Sequence, residues 1–303
     1  MPAALEVDAP GPPAFDLPRL VAAARLVHPF PSLLDGAVVA LIAMVAGGSV
    51  PLALVLGASM TCLQFCIGAV NDIVDAPFDE GIRPGKPIPD GIVSPRRAGV
   101  VAAAAAAIGL VLALVGGPGL VLLAVVGLGI GLAYDLWAKG TTLSWLPFAI
   151  GVPLLPLYGW YGATGEIPGL FLVVVPAAAN AGTALAISNA IVDMERDEEA
   201  GNRSIALALG AERASGVVVI LHLVVAFLAV ATTLALGAPT GWTVAVLVSA
   251  IVPLGGAVLG IAAAAREATG LRELAFEVQA VGMGLLAVAW LCALSASQTA
   301  SGV

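Results

Sequence analysis

The sequence predicts an all-α membrane protein of about nine transmembrane helices, arranged as two parallel four-helix repeats plus a ninth helix. Three observations carry that expectation. Apolar residues make up 60% of the chain and charged residues only 11%, against about 25% charged in a typical soluble domain. So apolar a surface needs lipid as its solvent. All twelve Lys and Arg residues fall on one side when the apolar runs are counted as nine spans. A motif of Asn and Asp occurs twice, 118 residues apart.

Residues 1–18, rich in Pro and Ala, lack the basic start and apolar core of a signal peptide. They read as a disordered tail retained on the mature chain, ahead of a single transmembrane domain over 19–303. Apolar runs follow at about 30–48, 50–70, 98–115, 118–134, 143–161, 168–191, 215–236, 241–264 and 275–295. Turns are marked by Gly47-Gly48, Gly116-Gly117-Pro118 and Gly237-Ala238-Pro239. Abundant Gly and Ala let the helices approach closely.

Nine spans place the N-terminus and the 2–3, 4–5, 6–7 and 8–9 loops on one face. Arg19, Arg25, Arg83, Lys86, Arg96, Arg97, Lys139, Arg196, Arg203, Arg213, Arg266 and Arg272 all lie there. The loops near 48, 116, 164 and 238 and the end of the chain carry none. Cytoplasmic loops are the basic ones, so this face, with the N-terminus and the acidic motifs, is expected in the cytoplasm and the C-terminus outside. The net charge of −8 is local, because ten of the twenty carboxylates lie in Asp72–Asp90 and Asp193–Glu199. A nucleic-acid partner, which selects a basic surface, is excluded.

The chain repeats itself. Asn71, Asp75 and Asp79 share their spacing with Asn189, Asp193 and Asp197, and the same shift carries Pro29-Phe30 onto Pro147-Phe148. Gly99-Val100-Val101 meets Gly216-Val217-Val218 at a shift of 117. Repeat 1 covers about 25–135, repeat 2 about 143–264, and the ninth helix about 275–295. An even number of spans per unit makes the repeats parallel; inverted repeats have an odd number.

The first motif, Asn71-Asp72-Ile73-Val74-Asp75-Ala76-Pro77-Phe78-Asp79, places Asp72, Asp75 and Asp79 within about 60° of a helix. Pro77 is expected to disturb its last turn. The second, Asn189-Ala190-Ile191-Val192-Asp193-Met194-Glu195-Arg196-Asp197, again puts two acids on one face. One such motif alone reads equally well as solvated loop acids. Two copies at one spacing on one face do not, since clustered anions near a membrane repel each other and lose hydration. A divalent cation relieves both, and Mg²⁺ takes one or two carboxylates while leaving positions for water and phosphate. Arg83, Lys86, Lys139 and Arg203 stand beside the acids, as phosphate oxygens require. Gln64, seven residues before Asn71, lies on the same helix stripe and is a cavity candidate. Asp35 is expected to face surface water without a role. His28 and His222, and Cys62, Cys66 and Cys292, are expected to be structural, and Trp160 and Tyr161 to belong to an interfacial belt.

The two motifs together resemble those of the UbiA superfamily of intramembrane prenyltransferases. Arg25-Leu26-Val27-His28-Pro29 is similar to the start of that family's first helix. Lys86-Pro87-Ile88-Pro89-Asp90-Gly91 is similar to its Arg-Pro-x-x-x-Gly segment, and Gly201-Asn202-Arg203-Ser204 to the tail of its second motif. The likeness spans about 25–210. It implies a nine-helix fold, Mg²⁺ and an isoprenyl diphosphate donor. It also implies a metal set of Asn71, Asp75, Asp79, Asp193 and Asp197, with Asp72, Arg83, Lys86, Tyr134 and Lys139 catalytic and Arg25, Gln64, Asn189 and Arg203 binding substrate. Two departures stand out. Lys86 replaces an Arg, and the family's Tyr-x-x-x-Lys appears one residue longer as Tyr134-Asp135-Leu136-Trp137-Ala138-Lys139.

The expected reaction is transfer of an isoprenyl group from its diphosphate to an acceptor, aromatic or another small molecule, within membrane lipid. Arg25 is placed to meet an anionic acceptor. A terpene cyclase would use the same metal site without an acceptor. An ion transporter is disfavoured by parallel repeats and by acids at helix ends, since transporter sites lie near the midplane. Reporter fusions test the topology: those at Val303 and near Gly116 are expected to read external and one near Gly85 cytoplasmic. A cytoplasmic Val303 fusion would make the span count even.

Overall fold

A computed structural model describes residues 17–79, 85–264 and 269–300. Residues 1–16 of the expected tail over 1–18, together with Arg83 and Arg266, lie outside the described residues, and Leu17 and Pro18 begin α1. The described chain is helical, with no strand among those residues. The helices are α1 (Leu17–Ala24), α2 (Pro29–Val45), α3 (Val50–Asp79), α4 (Pro95–Ala113), α5 (Gly117–Ala133), α6 (Trp145–Gly151) and α7 (Leu154–Thr164). They continue as α8 (Phe171–Val192), α9 (Met194–Glu199), α10 (Ile205–Leu209), α11 (Ala211–Ala235), α12 (Thr240–Ala264) and α13 (Thr269–Ala300).

Six helical stretches among the described residues are long and apolar enough to cross a membrane, and a pair bent by 55° at His28 makes a seventh. One of the six, Pro95–Ala138, is 44 residues long, or about 66 Å at 1.5 Å per residue, twice a hydrocarbon core of about 30 Å. Gly117, at φ 73°, breaks it, and α4 and α5 pack against each other as a hairpin. The apolar run at 143–161 is likewise divided, into α6 and α7, around Val152 and Pro153.

Packing follows chain order: α2 on α3, α3 on α4, α4 on α5, then α6 on α8, α8 on α11 and α11 on α12. Helix α13 closes the bundle against α12, α2 and α8. Small residues let backbones meet. A Cβ at Gly57 would lie 2.7 Å from the Gly36 carbonyl oxygen, and one at Gly182 would lie 2.2 Å from that of Phe148. Polar bonds fix the register where lipid offers none. Ser59 Oγ, on α3, donates to the Gly109 carbonyl on α4 and bonds the Tyr158 hydroxyl on α7, both at 2.7 Å. Trp290 Nε1 donates to Thr232 Oγ1 at 2.9 Å, and Gln279 Nε2 to Ser188 Oγ at 2.9 Å. Such interhelical bonds contribute about 0.6–2 kcal/mol each.

Trp160 departs from the belt expectation. It is 8% exposed and packs edge-on to Phe171 at 5.6 Å, inside the core shared by α2, α8 and α13. A break between α6 and α7, invisible in composition, turns it inward.

The close α6–α8 approach gives a test. Gly182→Val drives a side chain into a backbone carbonyl and should cost about 1–3 kcal/mol, read as a lower Tm in detergent. Gly129→Val, at an exposed position with nothing within 4 Å of a new Cβ, should stay within about 0.5 kcal/mol of wild type.

Candidate active site

The first motif rides the last turns of α3. The helix runs through Pro77 to Asp79; so near the C-terminus the missing amide does not end it. Asp72 and Asp79 are each 2% exposed, and Asp75 is half-buried between them. The second motif crosses the end of α8. Asp193 caps that end, its N–H donating to the Asn189 carbonyl at 3.4 Å, and its own carbonyl accepts the Asp197 N–H at 2.9 Å. Asn189, Asp193 and Asp197 therefore stay in helical register despite the break between α8 and α9.

Asp72, Asp75, Asp79 and Asp193 each have a cation. Lys86 Nζ lies 2.6 Å from Asp72 Oδ1 and 3.7 Å from Asp79 Oδ2. Lys139 Nζ is 2.5 Å from Asp75 Oδ2. Arg196 joins the motifs, with Nη2 2.8 Å from Asp193 Oδ2 and Nη1 3.7 Å from Asp79 Oδ1. Spacing alone does not single out Arg196; only the tertiary approach of its side chain to Asp79 lets one guanidinium reach both copies. Second partners orient these groups. His28 Nε2 shares Asp72 Oδ1 at 3.0 Å. Asn71 Nδ2 donates to Asp135 Oδ1 at 2.7 Å, and Asn202 Nδ2 to Asp197 Oδ1 at 3.0 Å.

Local backbone geometry aims the cations. The Lys86 turn is closed by the Gly85 N–H donating to Asp90 Oδ2 at 2.6 Å and the Asp90 N–H to the Lys86 carbonyl at 3.1 Å. His28 sits in the left-handed region, at φ 47°, which costs about 1 kcal/mol or more. Gly68 accommodates the bend: a Cβ there would meet the Val27 carbonyl oxygen at 3.0 Å. The extra residue between Tyr134 and Lys139 is absorbed by a single π-helical turn, Tyr134–Ala138, closed by the Lys139 N–H donating to the Tyr134 carbonyl at 2.8 Å. Tyr134 and Lys139 therefore stay together, and Tyr134 lies within electrostatic reach of Asp75, Asp135, Asp193 and Asp197.

The remaining expected residues scatter more. Arg25 is exposed and lies against Gly85. Arg203 is exposed, its backbone N–H donating to the Gly140 carbonyl at 2.8 Å, which ties the second motif to the Lys139 turn. Gln64 lines a cavity and donates to Asp35 Oδ2 at 2.5 Å. Asp35 is thus not a surface residue: α2 turns it toward α3 and the interior.

The acids are hard oxygen donors, and Asp72 Oδ2 and Asp79 Oδ2 are buried without a hydrogen-bond partner. No group of three or more His, Cys, Asp or Glu among the described residues is drawn together into a cage.

Residues 34–277 match the UbiA prenyltransferase family, and the chain belongs to that family. Solved structures share the fold. A UbiA homologue from Archaeoglobus fulgidus bound to GPP and Mg²⁺ aligns with a TM-score of 0.66 at 18% identity, over 88% of this chain and 99% of that one. An apo UbiA homologue from Aeropyrum pernix K1 gives 0.65 at 22% identity, over 83% and 96%. A digeranylgeranylglyceryl phosphate synthase structure gives 0.64 at 16%, over 92% and 99%. No curated protein sequence matches the chain significantly.

Removing the bridge should expose its role. Arg196→Ala leaves buried Asp79 facing Asp193 without their shared cation and should destabilise the protein by about 3 kcal/mol. Arg196→Lys should recover part of the loss in Tm, and an alanine variant as stable as wild type would show that the motifs are held together otherwise.

Proposed function

We propose that the chain is a Mg²⁺-dependent intramembrane prenyltransferase that moves an isoprenyl group from an isoprenyl diphosphate to a small-molecule acceptor. One observation carries the reading: two copies of an acidic motif, on α3 and at the α8–α9 junction, are joined by a single guanidinium. Beside them Tyr134 lines a large apolar cavity. The arrangement has a charged end for a diphosphate and an apolar space for a prenyl chain. The GPP and Mg²⁺ of the Archaeoglobus fulgidus homologue are consistent with that division.

Asn71, Asp75, Asp79, Asp193 and Asp197 would hold Mg²⁺, whose charge stabilises the departing diphosphate. Lys86 and Lys139 move from carboxylate to phosphate oxygens as the donor binds, and Arg83 and Arg203 are further phosphate partners in this proposal. Asp72 positions Lys86 together with His28; Tyr134 lines the cavity beside the motifs, and Asn189 is proposed to bind substrate. The helix walls exclude water from the allylic cation.

The same proposal includes nine crossings, with α2, α3, α4, α5, the α6–α7 pair, α8, α11, α12 and α13 as spans. The hairpin at Gly117 and the break at Val152–Pro153 support that count. The repeat of packing order, α2 to α5 against α6 to α12, supports two parallel units within one domain over 19–303. The basic loops orient the motifs and the N-terminus toward the cytoplasm and the C-terminus outside.

Asp75→Ala, Asp79→Ala, Asp193→Ala and Asp197→Ala should each lower Mg²⁺-dependent turnover by orders of magnitude while the variants still elute as folded protein. Retention of half the wild-type rate by all four would refute the site. Pyrophosphate release from geranylgeranyl diphosphate should depend on an added acceptor. Fast acceptor-independent release with a cyclised product would instead identify a terpene cyclase on the same metal site.

A further inference from the structure

Below the charged end lies a second polar feature that the diphosphate chemistry does not use. Asp35, on α2, and Gln64, on α3, meet in an otherwise apolar interior. Asp35 lines two cavities at once: one of ≈ 220 Å³ between α2, α3, α5 and the α6–α7 pair, and one of ≈ 110 Å³ between α2, α8 and α13. Gln64 lies seven residues before Asn71, about 10 Å further into the membrane along α3. A carboxyl at that depth is costly unless it serves a site.

The hydrogen bonding fixes what could bind. Gln64 Nε2 donates to Asp35 Oδ2, so the amide is oriented. Asp35 Oδ1 and Gln64 Oε1 remain as acceptors, and the second Gln64 Nε2–H remains as a donor. Their complement is a group that both donates and accepts, as a hydroxyl does. No Lys, Arg or His appears among the residues lining either cavity. A carboxylate or phosphate on the ligand would therefore meet a carboxyl group in an apolar wall with no counter-charge. Apart from Asp35 and Gln64, the polar side chains of the walls are Tyr134, at the charged end, and Trp290, whose indole N–H is used by Thr232.

We propose that the Asp35–Gln64 pair is the acceptor subsite, and that it selects a neutral, lipid-soluble alcohol or phenol over an anionic acceptor. The inference rests on the prenyl-transfer reading and narrows it. The acceptor hydroxyl donates to Asp35 Oδ1. Its oxygen lone pair forms the bond to C1 of the prenyl chain as the C1–O bond to diphosphate breaks. Diphosphate leaves with the bonding electron pair, and the hydroxyl proton passes to Asp35. Arg25 takes no part, since it belongs to neither cavity wall and lies at the cytoplasmic end against Gly85.

The test pairs donor binding with acceptor competition in the full-length protein. Purified protein with Mg²⁺ retains radiolabelled geranylgeranyl diphosphate, and is then offered an equimolar panel. One arm holds neutral alcohols and phenols, including 1,4-dihydroxynaphthalene. The other holds their carboxylate counterparts, including 1,4-dihydroxy-2-naphthoate. Products, read by mass, should come from the neutral arm. Asp35→Asn and Asp35→Leu should lower transfer at least tenfold, with the weaker variant showing a raised acceptor KM, while each retains the donor. Transfer to the anionic arm, no transfer to the neutral arm, or wild-type transfer by Asp35→Asn would overturn the inference while donor retention leaves the prenyl-transfer reading standing. Failure of the wild-type protein to retain the donor would remove that reading and this one together.

Discussion

Charge compensation across the ends of α3 and α8 is the constraint on which the rest of the architecture depends. Five aspartates of two motifs are gathered where helices end, and four of them are met by cations. The fold supplies them from three different segments: Lys86 from the turn after α3, Lys139 from the end of α5, and Arg196 from α9. None of these could arrive unless the helices behind them were held in register. The buried bonds of Ser59, Gln279 and Trp290 and the glycine contacts at Gly57 and Gly182 provide that register. Deep packing and the surface charge lattice are therefore one system.

A site compensated by its own cations is also a site prepared for exchange. Carboxylates neutralised by Lys and Arg are stable while empty. The same side chains are the natural partners of phosphate oxygens. Lys86, in place of the Arg that the family pattern carries, gives up the planar fork but reaches two acids as a point charge. His28, in a strained backbone conformation, shares Asp72 Oδ1 with Lys86. Strain of this kind persists where the surroundings over-determine it, and here the close contact of Gly68 with Val27 does so.

The membrane class and the acidic motifs were legible because both rest on composition and short spacing. Runs of apolar residues, Gly-rich turns and repeated Asp positions survive translation into structure with shifts of a few residues. What stayed hidden depends on contacts between distant segments. Arg196 looked like an anchoring charge until α9 met α3. Asp35 looked solvent-facing because it stands near the start of an apolar run, and the facing of α2 toward Gln64 is a tertiary fact. Trp160 suggested a belt because aromatic residues near a span end often form one; the interruption at Val152–Pro153 redirects it into the core.

The π-helical turn at Tyr134–Ala138 has a meaning for how relatives of this chain are compared. One residue is accommodated by widening a single turn, leaving the hydroxyl and the ammonium at its two ends in their places. Length is thus changed without changing position. Alignment columns counted along the polypeptide would fall one step out of phase at this turn even where the side chains kept their places. Lineages that gain or lose that residue would look divergent in register while being conserved in space, and a gap placed anywhere but inside the turn would assign the lysine's role to its neighbour.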